Sequence, residues 1–242
     1  VIYLTGVTND TDEPKLIAAG IGLMAQPGNS YHLRIDRYPW WAADNGCFND
    51  RWSEGPWMRW LEQLPRERCL FAVAPDVYAD AQGSIDRGLP YMPIIRELGF
   101  PVALVAQDGA EGLSLPWDEF DVLFIGGEKK NPEWKTSDKA EAVTRRARNH
   151  GKWVHMGRVN SLLRMERARA MGCNSVDGTF IKYRRRKRAT DNNGDRDLRG
   201  ADELALSGEW LASNPMLPPF STFEGHALPV HREASRRSTH RR

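Results

Sequence analysis

The sequence predicts an α/β fold: a (β/α)8 TIM-type barrel, compact and irregular, with a basic C-terminal extension. Short apolar runs recur near residues 2, 41, 71, 104, 123, 154 and 175, and most are followed by a helical segment. Such alternation builds parallel strands joined by right-handed crossovers. Several of these runs end in a carboxylate or a pair of glycines, and the C-terminal strand ends are where such a barrel holds its chemistry. At 242 residues the chain is close to the roughly 250 typical of the fold. Seven strands are visible in the pattern, so one more is irregular or hidden. The barrel is expected over residues 1–212, and a poorly ordered tail rich in Pro, Ser and Arg over residues 213–242.

Composition narrows the class. Hydrophobic residues are 40% of the chain and aromatic residues 10%, enough for one sizeable core. No apolar run approaches the ~20 residues of a membrane span, so no membrane partner is expected. Residues 1–4 are too short an apolar stretch for a secretion signal. Cys47, Cys69 and Cys173 are odd in number and widely spaced. That points to reduced thiols in a cytoplasm, not to a disulfide frame or a cysteine-rich zinc site. Net charge is only +2, but residues 182–188 and 232–242 are strongly basic. Uneven basic charge suggests a polyanion partner. For the tail, a solvated end explains the charge better.

The elements follow in order. Residues 1–5 form a first strand and residues 8–13 a polar loop. Residues 14–24 read as a helix interrupted by Gly20 and Gly22, and residues 26–39 as a loop. Residues 40–43 are an apolar strand running into Asp44-Asn45-Gly46-Cys47-Phe48. Over residues 52–64, Trp57, Trp60, Leu61 and Leu64 fall at helical spacing and read as core packing, not as a base-stacking surface. Residues 69–74 are apolar throughout, as suits a parallel strand buried on both faces, and end in Pro75-Asp76. Asp76 is equally suited to capping a helix. Residues 85–98 are a helix that Pro90 and Pro93 bend or break. Strands at 102–106 and 122–125 end in Gln107-Asp108-Gly109 and Gly126-Gly127-Glu128. Residues 129–135 are a polar insertion, and residues 137–150 a basic helix.

Residues 153–156 are a short strand broken by Gly157. Asn160 or Ser161 offers a side-chain oxygen to the first turn of the next helix. That helix runs to about Met171, where Gly172 supplies a positive φ. A strand at 173–176 leads into Asp177-Gly178. The basic run, a polar segment over 189–200 and a last helix over 203–211 complete the ordered part.

These strand ends resemble those of the tRNA-guanine transglycosylases. That family carries Asp-Ser-Gly-Gly-Phe after an early strand, then a strand-end Asp, Gln-Gly-Gly, Gly-Gly, a Met-Gly turn and a nucleophilic Asp. Here Asp44-Asn45-Gly46-Cys47-Phe48, Asp76, Gln107-Asp108-Gly109, Gly126-Gly127, Met156-Gly157 and Asp177 occur in the same order. The resemblance implies that Asp177 and Asp44 are the catalytic carboxylates. It implies that Asp76, Gln107, Gly126, Gly127, Met156, Gly157 and Asn45 meet the substrate base, with Asp80 a rival for the base-reading role of Asp76. The tRNA enzymes carry a Cys/His zinc site near the C-terminus, whereas this chain is short and has no Cys after Cys173. Both features are more similar to the phage-type DNA guanine transglycosylases. Those exchange guanine in DNA for a 7-deazaguanine such as 7-cyano-7-deazaguanine.

The chemistry of such an exchange stands on its own. An N-glycosidic bond at C1′ is broken and re-formed on the same face. Two successive displacements through a carboxylate do this, as in retaining glycosidases. A second carboxylate handles protons on the departing and arriving bases. Asp177 is assigned as nucleophile and Asp44 as acid/base; sequence gives no distances, so which of the two attacks stays open. Asp76 would accept from guanine N1–H and N2–H, with Gln107 and the Gly127 backbone at O6. No metal or redox cofactor is needed. A duplex base must be flipped or single-stranded to reach a barrel mouth. Lys182, Arg184, Arg185, Arg186, Lys187 and Arg188, with Arg158, are suited to hold its phosphates. The expected partners are DNA, a free deazaguanine base, and a second copy or partner subunit. Three rival readings fit: a zinc-free tRNA enzyme, a non-catalytic nucleic-acid-binding subunit, and a barrel enzyme gripping a small phosphorylated substrate with Gly126-Gly127. The intact context of Asp177 counts against the second.

Overall fold

A computed structural model describes residues 1–180, apart from 8–9, 29, 50–51 and 128–132. The basic run at 182–188, the helix expected at 203–211 and the tail lie outside the described residues.

Eight strands form a closed barrel: β1 (Ile2–Thr5), β2 (Gly22–Ala25), β3 (Trp41–Ala43), β4 (Cys69–Val73), β5 (Val102–Ala106), β6 (Val122–Ile125), β7 (Trp153–Met156) and β8 (Ser175–Asp177). Each pairs in parallel with its neighbours in sequence, and β8 closes on β1 with Leu4 opposite Asp177. The hidden strand is β2, in a stretch whose sequence reads as the end of a helix. α1 (Glu13–Ala18) stops after 6 residues, and Gly20 turns the chain at φ 74°. Gly22 then lies so close to its neighbours that a Cβ would sit 2.5 Å from Leu4 Cδ2 and 2.7 Å from the Trp40 carbonyl oxygen. The glycine that looks like a helix defect is what lets β2 fit between β1 and β3.

Successive side chains of a strand point to opposite faces. Leu4, Met24, Phe71, Val105 and Val122 pack in an inner cluster, while Tyr3, Leu23, Leu104, Val154 and Val176 belong to the larger layer under the helices. That parity decides which residues can reach the mouth. Helix α2 (Glu54–Gln63) buries Trp57, Trp60 and Leu61 as core. The two prolines split the next helical segment into α3 (Ala81–Gly88), a 3-10 turn (Leu89–Tyr91) and α4 (Met92–Glu97). Both prolines sit in first turns, where a missing N–H costs nothing. α5 (Asp138–Asn149) is capped by Ser137.

Of the two candidate caps for α6 (Leu162–Ala170), Ser161 takes the Arg164 N–H. Asn160 instead accepts from the Thr179 N–H at 2.7 Å, tying down the chain after β8. Gly172, at φ 81°, ends the turn. The barrel is irregular on two sides: the path from β2 to β3 carries a 3-10 helix (Ser30–Arg37), and that from β5 to β6 only a 3-10 turn (Ala110–Gly112). In the insertion expected to be polar, Trp134 and Lys135 are buried. Among the described residues no helix is long and apolar enough to cross a membrane.

Candidate active site

The strand ends converge on one cleft at the C-terminal mouth. Its floor is Met24, Val73, Val105 and Phe124; its walls include Gln26, Asp44, Asn45, Asp76, Gln107, Gly126, Arg158 and Asp177; Phe48 and Tyr78 stand at the rim. Three carboxylates from β3, β4 and β8 thus share one small space.

Asp76 is held by two amides whose orientation is fixed elsewhere. Asn45 accepts the Cys47 N–H on Oδ1 at 2.8 Å, so its amide group faces Ala74 O at 2.7 Å and Asp76 Oδ1 at 2.9 Å. Gln107 accepts the Gly127 N–H on Oε1 at 2.7 Å, so its Nε2 donates to Asp76 Oδ2 at 2.7 Å. Burial raises the Asp76 pKa, and the hydrogen bonds from Asn45 and Gln107 and the charge of Arg87 oppose that rise. Each oxygen of the ionised carboxylate keeps a further lone pair, and Asp76 lines the cleft. The rival Asp80 is accounted for: it caps α3, accepting the Gly83 N–H at 2.9 Å.

Asp44 lines the same cleft. Gln26 Nε2 donates to its Oδ2 at 2.8 Å, and the Gly46 N–H approaches Oδ1 at 3.4 Å. Burial, then the neighbouring charge of Asp177 and, less, of Asp76, pushes its pKa from 3.8 to about 6, against those two hydrogen bonds. Asp44 is therefore a carboxyl that can gain or lose a proton near neutral pH.

Asp177 ends β8. His155 Nε2 and the Arg158 N–H both meet its Oδ1, at 2.9 and 3.3 Å. Arg158 holds φ 55°, a left-handed conformation that costs a non-glycine residue about 1–3 kcal/mol. In return its N–H reaches Asp177, its guanidinium donates to Gly127 O at 2.8 Å, and it stacks 4.6 Å over Phe48 and 5.5 Å over Tyr78. Gly157 sits behind, where a Cβ would come within 2.5 Å of Phe124. Lys135 donates to Gly157 O at 2.9 Å. Burial, then the Arg158 charge, lowers its pKa to about 8.

The structure thus brings together Asp44, Asn45, Asp76, Gln107, Gly126, Arg158 and Asp177. Gly127 and Gly157 support the walls without lining them. Met156 does not reach the cleft: its side chain is fully buried in the layer outside the barrel, because the inward position on β7 belongs to His155. Sequence reasoning missed Gln26, concealed with β2, and His155, Ser175 and Lys135. Histidine and lysine at strand-end or insertion positions were the available signal. Among the described residues no group of three or more His, Cys, Asp or Glu is arranged to hold a metal ion.

No family model matches the chain, and no curated protein matches it. Among solved structures it is similar to an HpcH/HpaI aldolase from Desulfitobacterium hafniense DCB-2, with a TM-score of 0.47 and 10% identity over 80% of this chain and 94% of that one. It is also similar to the PaMucR phosphodiesterase in its c-di-GMP complex, with a TM-score of 0.40 and 16% identity over 62% of this chain and 65% of that one. These are similarities of chain path, so the chemistry of the site rests on its own residues.

Proposed function

We propose that the protein is a base-exchange transglycosylase that replaces guanine in DNA with a 7-deazaguanine through a covalent Asp-glycosyl intermediate. The observation that carries the reading is the donor–acceptor pattern of the cleft. Asp76, locked between two amide donors, offers only lone pairs when ionised, and so favours a partner with adjacent N–H groups. Guanine presents N1–H and N2–H side by side. The second hydrogen of Gln107 Nε2 suits the adjoining O6; the Gly127 N–H, expected there, is instead given to Gln107 Oε1, and the Gly126 N–H to Ala106 O. Two further carboxylates then flank the space beyond the base.

In the first step Asp177 attacks C1′ and the C1′–N9 bond breaks, its electron pair leaving with the base. Asp44, in its protonated form, gives that base a proton. In the second step ionised Asp44 takes the N9 proton of the incoming deazaguanine. N9 attacks C1′ and Asp177 leaves, so the sugar keeps its configuration. DNA as the polymer follows from the family resemblance. Exchange of labelled guanine into DNA and into unmodified tRNA tests both levels. Label in DNA supports the reading; label only in tRNA favours the zinc-free tRNA enzyme; label in neither overturns base exchange.

A further inference from the structure

We propose that Trp153, Ser175 and His155 form a buried positioning relay that fixes Asp177 by its Oδ1 and leaves Oδ2 as the attacking oxygen. The inference rests on Asp177 being the nucleophile of the proposed exchange.

Trp153 and His155 are alternate residues of β7, Ser175 and Asp177 alternate residues of β8, and the register sets His155 opposite Ser175. The contacts run in one line. Trp153 Nε1 lies 2.8 Å from Ser175 Oγ, Ser175 Oγ 2.8 Å from His155 Nδ1, and His155 Nε2 2.9 Å from Asp177 Oδ1. An indole nitrogen can only donate. Ser175 Oγ therefore accepts there with one lone pair, and its own proton is free for His155 Nδ1, its one other side-chain partner among the described residues. A ring that accepts at Nδ1 carries its proton on Nε2 when neutral, and donates it to Asp177. The directions are fixed from both ends: the indole can only donate and the ionised Asp177 carboxylate can only accept, so a neutral ring carries its proton on Nε2 and accepts at Nδ1.

The ring is also held sterically. His155 is wholly buried, with Phe71 at 4.9 Å and Phe124 at 4.6 Å between ring centroids. Asp177 Oδ1 takes two N–H groups, from His155 and the Arg158 backbone, whereas Oδ2 takes none from the described residues. After attack through Oδ2, Oδ1 becomes the ester carbonyl and can keep both hydrogen bonds. No proton need pass along the relay. Barrel interiors are ordinarily filled by apolar side chains in layers. Here a line of polar groups begins beneath the carboxylate, and its members satisfy one another.

The test combines NMR with kinetics. In wild-type protein labelled with ¹⁵N at histidine, His155 should show the Nε2–H tautomer. Ser175→Ala removes the donor to Nδ1 without touching substrate. It should leave Nδ1 without its donor, change the ¹⁵N shift of Nδ1, and slow adduct formation on a guanine-containing oligonucleotide roughly 10- to 100-fold, the scale of losing an outer partner of a site residue. KM should stay within about twofold. Trp153→Phe should act in the same direction, and guards against a Ser175→Ala variant that does not fold. His155→Gln, which keeps an amide donor, should retain more activity than His155→Leu. An Nδ1–H tautomer in the wild type, or kcat unchanged in folded Ser175→Ala, overturns the relay. If the wild type shows the Nε2–H tautomer but exchanges no base, the transglycosylase reading fails and the hydrogen-bond chain survives.

Discussion

Asp44→Asn should abolish base exchange and yet stabilise the protein at neutral pH. The native carboxyl has its pKa raised from 3.8 to about 6 by burial and by the charges of Asp177 and Asp76. Between those values the folded state holds a proton that the unfolded chain has already released. Stability therefore falls as pH rises through that window, and the loss is complete above about pH 6. At about 1.4 kcal/mol for each pH unit between the two values, the ionised carboxylate costs about 3 kcal/mol at pH 7. Asparagine removes the charge and keeps the shape. Its oxygen can still accept from Gln26, but its amide then faces the Gly46 N–H, a loss of about 1 kcal/mol that takes the net gain to about 2. Urea unfolding of wild type and variant at pH 4, 5, 6 and 7 measures this. The variant should be the less stable at pH 4 and the more stable at pH 7, with the curves crossing between. Parallel curves would refute the assignment of Asp44 as a strained, proton-holding carboxyl.

Four further outcomes are expected. Asp177→Asn should fold and bind nucleic acid but form no covalent adduct, as denaturing gels and mass spectrometry of enzyme incubated with oligonucleotide would show. Asp76→Ala should lower kcat/KM by about 100-fold or more and relax guanine selectivity, since two hydrogen bonds to a charged group are worth about 1.5–3 kcal/mol each. Asp80→Ala should instead cost about 1 kcal/mol of stability through the lost cap of α3 and leave selectivity alone, so a reversed order in competition assays would move base reading to Asp80. Replacing Arg184, Arg185 and Arg186 together with alanine should flatten the salt dependence of DNA binding by roughly 0.7 to 0.9 log units per lost phosphate contact, equally for all sequences. An unchanged slope in titrations at two salt concentrations would mean that the run touches no phosphate.

Much of the barrel was legible because buried parallel strands are apolar on both faces and stand out as runs. β2 was not, because its four residues follow a six-residue helix with only three residues between them, and Gly20 and Gly22 read as flaws in that helix. What identifies the strand is crowding against Leu4 and Trp40, 18 residues to either side of Gly22, and crowding of that kind has no local signature. Gln26 went unseen with it, although it is the side chain that holds Asp44.

Asp76 and Asp80 show where local sequence stops deciding. Both are carboxylates just ahead of a helix, and either type of residue can satisfy an orphan first-turn N–H. The helix begins at Ala81, so only Asp80 is in the N-cap position, and the Gly83 N–H is 2.9 Å from its oxygen. Asp76 is then released to face the cleft, where amides from β3 and β5 strand ends take both its oxygens. Strand parity separates His155 from Met156 in the same way. A Met-Gly turn invites the expectation that Met156 meets the base, but one residue along a strand reverses the side. The register of β7 against β8 turns Met156 outward with Val176, and sends His155 inward with Ser175. The residue that sequence would place on the substrate packs under the helices, and its neighbour carries the hydrogen bond to Asp177.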